Sequence, residues 1–415
     1  MESDVIVIGA GLAGLQCARR VQRSGYGVVV LESADAVGGR IRTENIDGFL
    51  CDRGFQLLNP AYPAVRSWID VDSLGLQKFG AGVVVRSGDT ATTLAHPLKH
   101  PQHALETLRS ELTPASELLA LARWLAPAFL PLRSRGRDES LHDSFDAAGL
   151  KGRLRRDVLD PFLSGVLASS RGESSAHYVR DLVRYFALGT PGLPRAGMQA
   201  LPEQLASWLL EPVRLNTAAR QVRQNSGGVS VLTDHGEVRG RAAVIAVGGH
   251  DLPQVTELPA VKSNGLTTWW FRAPHEVAES PFIMLDATAP GQGAAGPIWH
   301  TAVVSSAAPS YAPRGEILVE ATTLLDRPDG LAEEGQLRRQ LARLYKTSPS
   351  GWEVLAHHVV PHTLPEQLPP LKDRQPLWTG ERILLAGDHR HTASIQGALA
   401  SGDSSGREVV QRLKQ

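Results

Sequence analysis

"DVIVIGAGLAGLQCARRVQRSGYGVVVLES", residues 4–33, opens on an apolar run, Val5–Ile8, suited to a strand buried on both faces. Gly9, Gly11 and Gly14 follow in G-x-G-x-x-G spacing. Leu12, Leu15, Ala18 and Val21 then recur at helical intervals until Gly25 stops the helix. A second apolar strand, Val28–Leu31, ends at Glu32 and Ser33. The first glycine makes a tight turn, the second lets backbone approach a pyrophosphate, and the third allows close packing of helix on strand. The helix N-terminus, at Leu12 and Ala13, supplies N–H groups and a positive dipole end. Glu32 stands 18 residues after Gly14, where a carboxylate accepts hydrogen bonds from ribose hydroxyls. The ensemble predicts a dinucleotide site, and the acid selects FAD or NAD over NADP.

Beyond Glu32 stands "VGGRIRT", residues 37–43, and then "DRGFQLL", residues 52–58. A second glycine pair followed by arginine resembles the signature of the flavin-containing amine oxidases. Their relatives include protoporphyrinogen oxidases, carotenoid desaturases and isomerases, and UDP-galactopyranose mutases. The resemblance implies FAD, with the Gly38–Gly39 backbone close to the cofactor and Arg40 contacting phosphate or bracing the loop. It places Gly54, Phe55 and Gln56 alongside the flavin ring. Arg42 carries no such role and is expected to be solvated or ion-paired.

FAD in extended form is too long for one strand–helix–strand unit, so its flavin end needs other support. "ILLAGDHRHTASIQGALASGDSSG", residues 383–406, provides it: a short strand Ile383–Leu385, Gly387 and Asp388, then a small-residue helix beginning near Ala393. Asp388 can accept a hydrogen bond from a ribityl hydroxyl or hold a water on the pyrophosphate. The helix N-terminus faces the flavin edge that becomes negative on reduction. Gly397, Ala398, Ala400, Ser401 and Gly402 let that helix lie close to its neighbours. The stretch also resembles the family's C-terminal signature, which assigns the Ile395 backbone N–H to flavin O2.

Residues 213–248 read as short strands, a Gly-Gly hairpin turn at 227–228 and an apolar strand Ala242–Val247. By resemblance this region adds strands under the adenine half, with backbone near Ala219 meeting the base, and 197–206 is a helix returning the chain to it. Residues 83–199 and 253–374 are left for the substrate. They contain a hairpin turning at Ser87-Gly88-Asp89, strands at 267–274 and 317–325, and a Pro/Ser-rich loop at 305–315. The expected fold is α/β: a Rossmann-like FAD-binding domain of the glutathione-reductase type, amine oxidase subfamily, with an interleaved α+β substrate domain. The FAD domain is drawn from 1–82, 200–252 and 375–415.

At 415 residues the chain exceeds what one core usually supports. Lys plus Arg equals Asp plus Glu at 43 each, so no global field recruits nucleic acid or an acidic membrane. Two cysteines, Cys17 and Cys51, build no disulfide framework, and acids in Met1–Asp4 replace a cationic secretion segment; a cytoplasmic setting is expected. "LLALARWLAPAFLPL", residues 118–132, is interrupted by Arg123, Pro127 and Pro131 and is too short to span a bilayer. A buried helix of the substrate domain is the first reading of it, and a membrane-touching lip at a site entrance the second.

Hydride transfer to a flavin needs geometry, exclusion of water and the right substrate charge more than an acid–base pair. Gln56, His391 and Trp270 are the catalytic candidates. His389 and His391 lie between Asp388 and the tail helix, as substrate-orienting or proton-relay groups or as loop histidines bonded to backbone or solvent. Trp269, Trp270 and Trp299 wall a cavity or are ordinary core. His96, His100 and His103 suggest a metal only until Pro97 and Pro101 are seen to break their helix, so no metal is expected.

"HRHTASIQ", residues 389–396, lacks the aromatic residue that amine oxidases carry there, and the tail has no cysteine, so the FAD is expected to be non-covalent. A large apolar substrate is thereby favoured over an amine. The implied activity is FAD-dependent two-electron oxidation of a hydrophobic small molecule at a C–N or C–C bond. The alternatives are a non-redox flavin isomerase or mutase, and a non-catalytic carrier of prenylated proteins like Rab escort proteins. Neither the electron acceptor nor the oligomeric state is specified.

Overall fold

The structure is a computed structural model, and it describes residues 3–287, 295–372 and 375–415. Met1 and Glu2, part of the expectation about a leader, and residues 288–294 and 373–374 of the expected substrate segment lie outside them. The elements that position the site run in order as follows. Strand β1 (Ser3–Ile8), helix α1 (Leu12–Arg23) and β2 (Val28–Leu31) open the chain, and a hairpin of β3 (Gly82–Ser87) and β4 (Thr90–Ala95) comes next. Helices α2 (Ala115–Leu125), α3 (Asp160–Leu167), α4 (Ala176–Leu188) and α5 (Ala200–Ser207) lead to β5 (Ala219–Asn225), β6 (Gly228–Thr233) and β7 (Gly236–Ile245). Then come β8 (Ser263–Ala273), β9 (Ile283–Asp286), β10 (Ile298–Val303), β11 (Ile317–Leu324) and β12 (Glu353–Pro365). Strand β13 (Ile383–Leu385) and helix α6 (Ile395–Leu413) end the chain.

Two sheets carry the molecule. In the first, the order is β2-β1-β7-β6-β5, with β13 also pairing β7. β1, β2, β7 and β13 are mutually parallel, and their central residues Val5–Ile8 and Ala242–Ile245 are buried on both faces. That burial explains why these strands read as unbroken apolar runs. β7 begins six residues before the expected strand because its polar half, Gly236–Gly240, pairs antiparallel with β6. In the second sheet the order is β12-β8-β11-β10-β9-β3-β4, and only the β9–β3 pairing is parallel.

α6 lies against α1, and small residues set the distance. A Cβ on Gly402 would stand 2.2 Å from the Ala13 carbonyl oxygen, and one on Gly406 would stand 2.7 Å from Arg20 Cβ. Asp403, wholly buried in this seam, is paired by Arg20 at 2.6 Å and Arg407 at 2.8 Å. The stretch 305–315 is not a loop as expected. It forms a short helix, Val304–Ala307, and a 3-10 turn, Pro309–Tyr311. Tyr311 is fully buried and donates to Asp52 Oδ2 at 2.9 Å, so an aromatic anchor outweighs the loop-forming prolines. Residues 118–132 are amphipathic: Ala120, Trp124 and Ala128 face the core, while Leu119, Phe129 and Leu130 face outward. Among the described residues no helix is long and apolar enough to cross a membrane.

Candidate functional site

A cavity of about 830 Å³ runs from the carboxyl ends of the parallel strands to the second sheet. Its first wall is the glycine turn. Gly9 has φ +103°, a left-handed value that an L side chain resists, and its added Cβ would lie 2.8 Å from the Ala246 carbonyl. A Cβ on Gly14 would fall 1.9 Å from the Gly9 carbonyl oxygen, so helix and strand touch there. Gly11 differs: its nearest neighbour would be Gly38 O at 4.0 Å, and the position opens on the cavity. Gly9, Gly11, Leu12 and Ala13 line the cavity, whereas Gly14 supports it from below.

Glu32 is buried at the end of β2 and lines the cavity with Ser33. Its Oε2 accepts from the Ala10 N–H at 2.7 Å, and its Oε1 accepts from the Ala34 N–H at 2.9 Å. The carboxylate is thus fixed across the glycine turn, with lone pairs left for a ligand hydroxyl. Ala219, with Thr217 and Ala218, forms the wall beyond it. A pocket with backbone N–H groups, an aligned helix terminus and a fixed carboxylate fits the pyrophosphate, ribose and adenine of FAD.

At the middle of the cavity Arg40 and Asp388 meet. Arg40 Nη2 lies 2.7 Å from Asp388 Oδ2, and Arg40 Nη1 donates to the Thr363 carbonyl at 2.6 Å. Arg40 therefore braces the glycine-pair loop against the tail. Arg42 pairs outward with Asp35 at 2.6 Å. Gly38, Gly39 and Gly387 line this section. The N-terminus of α6 reaches the cavity through Ser394, Ile395 and Ala398, and Ser394 Oγ caps the helix by accepting from Gly397 N–H at 3.0 Å. The helix begins two residues after the expected Ala393. Its first N–H groups, Ile395 among them, have no intrahelical acceptor.

The far section is apolar and was largely missed in the sequence. Phe162, Gly165 and Val166 of α3, Tyr178, Leu182 and Phe186 of α4, and Leu266 of β8 line it together with Tyr62 and His300. The i, i+4, i+8 spacing of Tyr178, Leu182 and Phe186 was a signal, though it reads equally as ordinary core packing. Tyr178 Oη donates to the Ala393 carbonyl at 2.6 Å, tying α4 to the tail, and burial raises its phenol well above the usual range.

Phe55 and Gln56 line the cavity, and Phe55 contacts Phe79 edge-on and His300 at a tilt. Gln56 Nε2 donates to the Arg40 carbonyl at 3.3 Å, so its amide is partly committed to backbone. Gly54, with φ +90°, turns the chain just behind. The other two catalytic candidates are not brought to the cavity wall. Trp270 is fully buried behind it with Nε1 donating to the Asp52 carbonyl at 2.9 Å. His391 turns its ring toward its own backbone, where Nδ1 accepts from Thr392 N–H at 2.8 Å. His389 is buried beside Gly249, and desolvation pushes its imidazole down to about 4. His100 accepts from the Ala81 N–H at 3.0 Å, and among the described residues no group of three ligands could hold a metal.

The family described as flavin containing amine oxidoreductase matches residues 12–410, nearly the whole chain. The chain belongs to that family. FAD is its cofactor, and the cavity's donor set fits it. A pseudooxynicotine dehydrogenase of Pseudomonas sp is 26% identical over 264 residues, 60% of this chain and 52% of that protein. A putrescine oxidase of Kocuria rosea is 28% identical over 284 residues, 60% of this chain and 57% of that protein. The chain thus aligns with little more than half the length of these curated relatives. A wild-type putrescine oxidase solved with putrescine superposes with TM-score 0.72 at 18% identity, covering 99% of each chain. Cyclohexylamine oxidase from Brevibacterium oxydans IH-35A superposes with TM-score 0.68 at 17% identity over the full length of both. The shared architecture is a Rossmann-like FAD-binding fold with an attached mixed sheet.

Proposed function

We propose that the chain is an FAD-dependent oxidoreductase that removes a hydride from an apolar small molecule at a C–N or C–C bond. One observation carries this reading: a single cavity begins at the glycine turn and Glu32, passes the α6 N-terminus, and continues into a wall of Phe162, Tyr178, Leu182 and Phe186. Cofactor and substrate would therefore share one space, end to end. FAD, when bound, supplies a two-electron acceptor.

The residues do the rest. Gly9, Gly11, Leu12, Ala13, Glu32 and Ser33, with Ala219, hold the nucleotide end, and Gly14 sets the packing beneath it. Gly38, Gly39, Arg40, Gly387 and Asp388 hold the middle, and Gly54, Phe55, Gln56 and Ile395 stand at the reactive end. The α6 N-terminus favours negative charge there. The aromatic and aliphatic wall expels water and leaves a substrate amine uncharged, the state in which a C–H bond beside nitrogen can give up hydride.

Amines are the first substrate class to test, since named relatives are a putrescine oxidase and a pseudooxynicotine dehydrogenase. The expectation against an amine rested on the missing aromatic residue at 389–396. Tyr62 and Tyr178 now supply aromatic rings to the cavity from elsewhere in the chain. The domain division stays as proposed: 1–82, 200–252 and 375–415 for FAD, 83–199 and 253–374 for substrate. Membrane contact through Leu119, Phe129 and Leu130 rests on their outward placement, and co-sedimentation with vesicles tests it.

The deciding experiment is anaerobic mixing of the purified, FAD-loaded protein with a panel of aliphatic and aromatic amines and apolar alkanes bearing adjacent C–H bonds. Bleaching of the flavin spectrum with stoichiometric product is expected. A protein that takes up no FAD on reconstitution, or a flavin that no member of the panel reduces, refutes the reading.

A further inference from the structure

Behind the apolar wall, one face of the second sheet carries polar groups that the proposed reaction leaves unused. Strand registers set Thr268 opposite Thr322 and Trp270 opposite Glu320, and β10 sets His300 opposite Thr322. Alternation along each strand puts Leu266, Thr268, Glu320, Thr322 and His300 on one face, the face that Leu266 and His300 present to the cavity. Glu320 is 0% exposed and His300 8%. Among the described residues, Thr268 Oγ1, Glu320 Oε2 and His300 Nε2 are all buried without a hydrogen-bond partner. Three such atoms on one face, next to a cavity, call for an explanation, because each costs stability unless a ligand or a rearrangement satisfies it.

The geometry narrows the explanation. Glu320 Oε1 accepts from Thr322 Oγ1, while Oε2 points at His300 Nε2 across 4.0 Å. The opposite edge of the His300 ring lies against cavity-lining Gly165: a Cβ there would fall 2.1 Å from His300 Nδ1. The imidazole thus stands as a plate between the cavity and Glu320, beside Phe55 at a centroid distance of 5.6 Å.

We propose that Glu320 and His300 form one hydrogen-bonding unit, in which the Glu320 carboxyl donates from Oε2 to His300 Nε2 and His300 Nδ1–H binds a carbonyl-type oxygen on the substrate. Ligand contact at Nδ1 draws the two side chains together by about 1 Å, to hydrogen-bond distance. Burial raises the Glu320 carboxyl well above its ordinary range against the hydrogen bond from Thr322, and among the described residues no arginine or lysine offsets that burial. Burial also pushes His300 down to about 4, so the imidazole is neutral at pH 7, and the same burial shifts Glu320 toward its protonated form. A neutral acid behind the ring fixes the tautomer that carries its proton on the cavity side. Glu320 is the positioning residue, and His300 the one that touches substrate. The preferred substrate then has an apolar body with a hydrogen-bond acceptor at this end, not a second ammonium group. This deepens the oxidoreductase reading and rests on it for the word substrate.

The test uses the FAD-loaded protein and three probes of similar shape: phenylacetone, phenethylammonium and propylbenzene. Affinities come from perturbation of the flavin spectrum. Phenylacetone is expected to bind best. His300→Leu should weaken it roughly tenfold relative to propylbenzene. Glu320→Leu should weaken it similarly, and Glu320→Gln, whose amide can still donate to Nε2, should restore most of the affinity. Nitrogen-15 NMR of the protein, with or without flavin, should show His300 as the Nδ1–H tautomer and neutral down to about pH 5. Unchanged phenylacetone affinity in His300→Leu, or an Nε2–H tautomer, overturns the proposal. Loss of the flavin spectrum with the Nδ1–H tautomer intact would instead sink the oxidoreductase reading and support the unit.

Discussion

Gly11 and Gly14 stand three positions apart on one turn, yet a methyl group would meet very different surroundings at each. At Gly14 it would strike a backbone carbonyl at 1.9 Å, whereas at Gly11 the nearest protein atom is 4.0 Å away. Gly14→Ala is therefore expected to destabilise the apoprotein by about 3 kcal/mol, read as a lowered melting temperature. Gly11→Ala should leave that temperature unchanged and weaken FAD binding, read by flavin titration, because its methyl enters the ligand's space. Asp52 offers a second test. Burial pushes its carboxyl up to about 6, against hydrogen bonds from Thr43, Tyr311 and the Met198 N–H that pull it down. Since the unfolded value is near 4, the native state binds the extra proton between those two pH values, and stability falls as pH rises through them. Asp52→Asn removes that loss, worth about 3 kcal/mol, so its melting temperature should gain on wild type from pH 4 to pH 6. The glycine spacing and Glu32 were legible because each position is held to one residue type by backbone or ligand geometry. Tyr178, Phe162 and His300 were not, because nothing in local spacing separates a cavity wall from a core.

Helix α6 and the loop before it show what single elements contribute. Ser394 caps α6 by accepting the Gly397 N–H, and Ser394→Ala should lower stability by about 1 kcal/mol in a denaturant titration. Arg40 holds Asp388, whose side chain is almost wholly buried, so Arg40→Ala leaves a carboxylate without its cation. Faster hydrogen exchange across residues 383–398, together with weaker FAD binding, is the expected outcome. The parallel strands were readable as elements because burial on both faces gives an unbroken apolar run. The 305–315 segment was not: its prolines and serines signal a loop, while the contact that buries it, Tyr311 to Asp52, joins residues 259 positions apart. Local patterning cannot report so distant a partner. For the same reason Trp270, whose indole donates to the Asp52 carbonyl 218 positions away, reads in sequence as cavity wall, candidate for chemistry or core alike, and it is core.

Across the whole molecule, β1 at one end of the chain and β13 at the other flank β7, α1 packs with α6, and both ends of the chain line the cavity. Deleting residues 383–415 should therefore abolish flavin binding and expose the apolar face of α1, read as a colourless protein that binds a hydrophobic dye. The arrangement also orders events during synthesis. A ribosome delivers α1 and Glu32 well before α6, so the nascent chain holds an unfinished grip on nucleotide until that helix emerges. Every copy terminated before α6 lacks that wall, and possession of flavin becomes a certificate that synthesis passed this point.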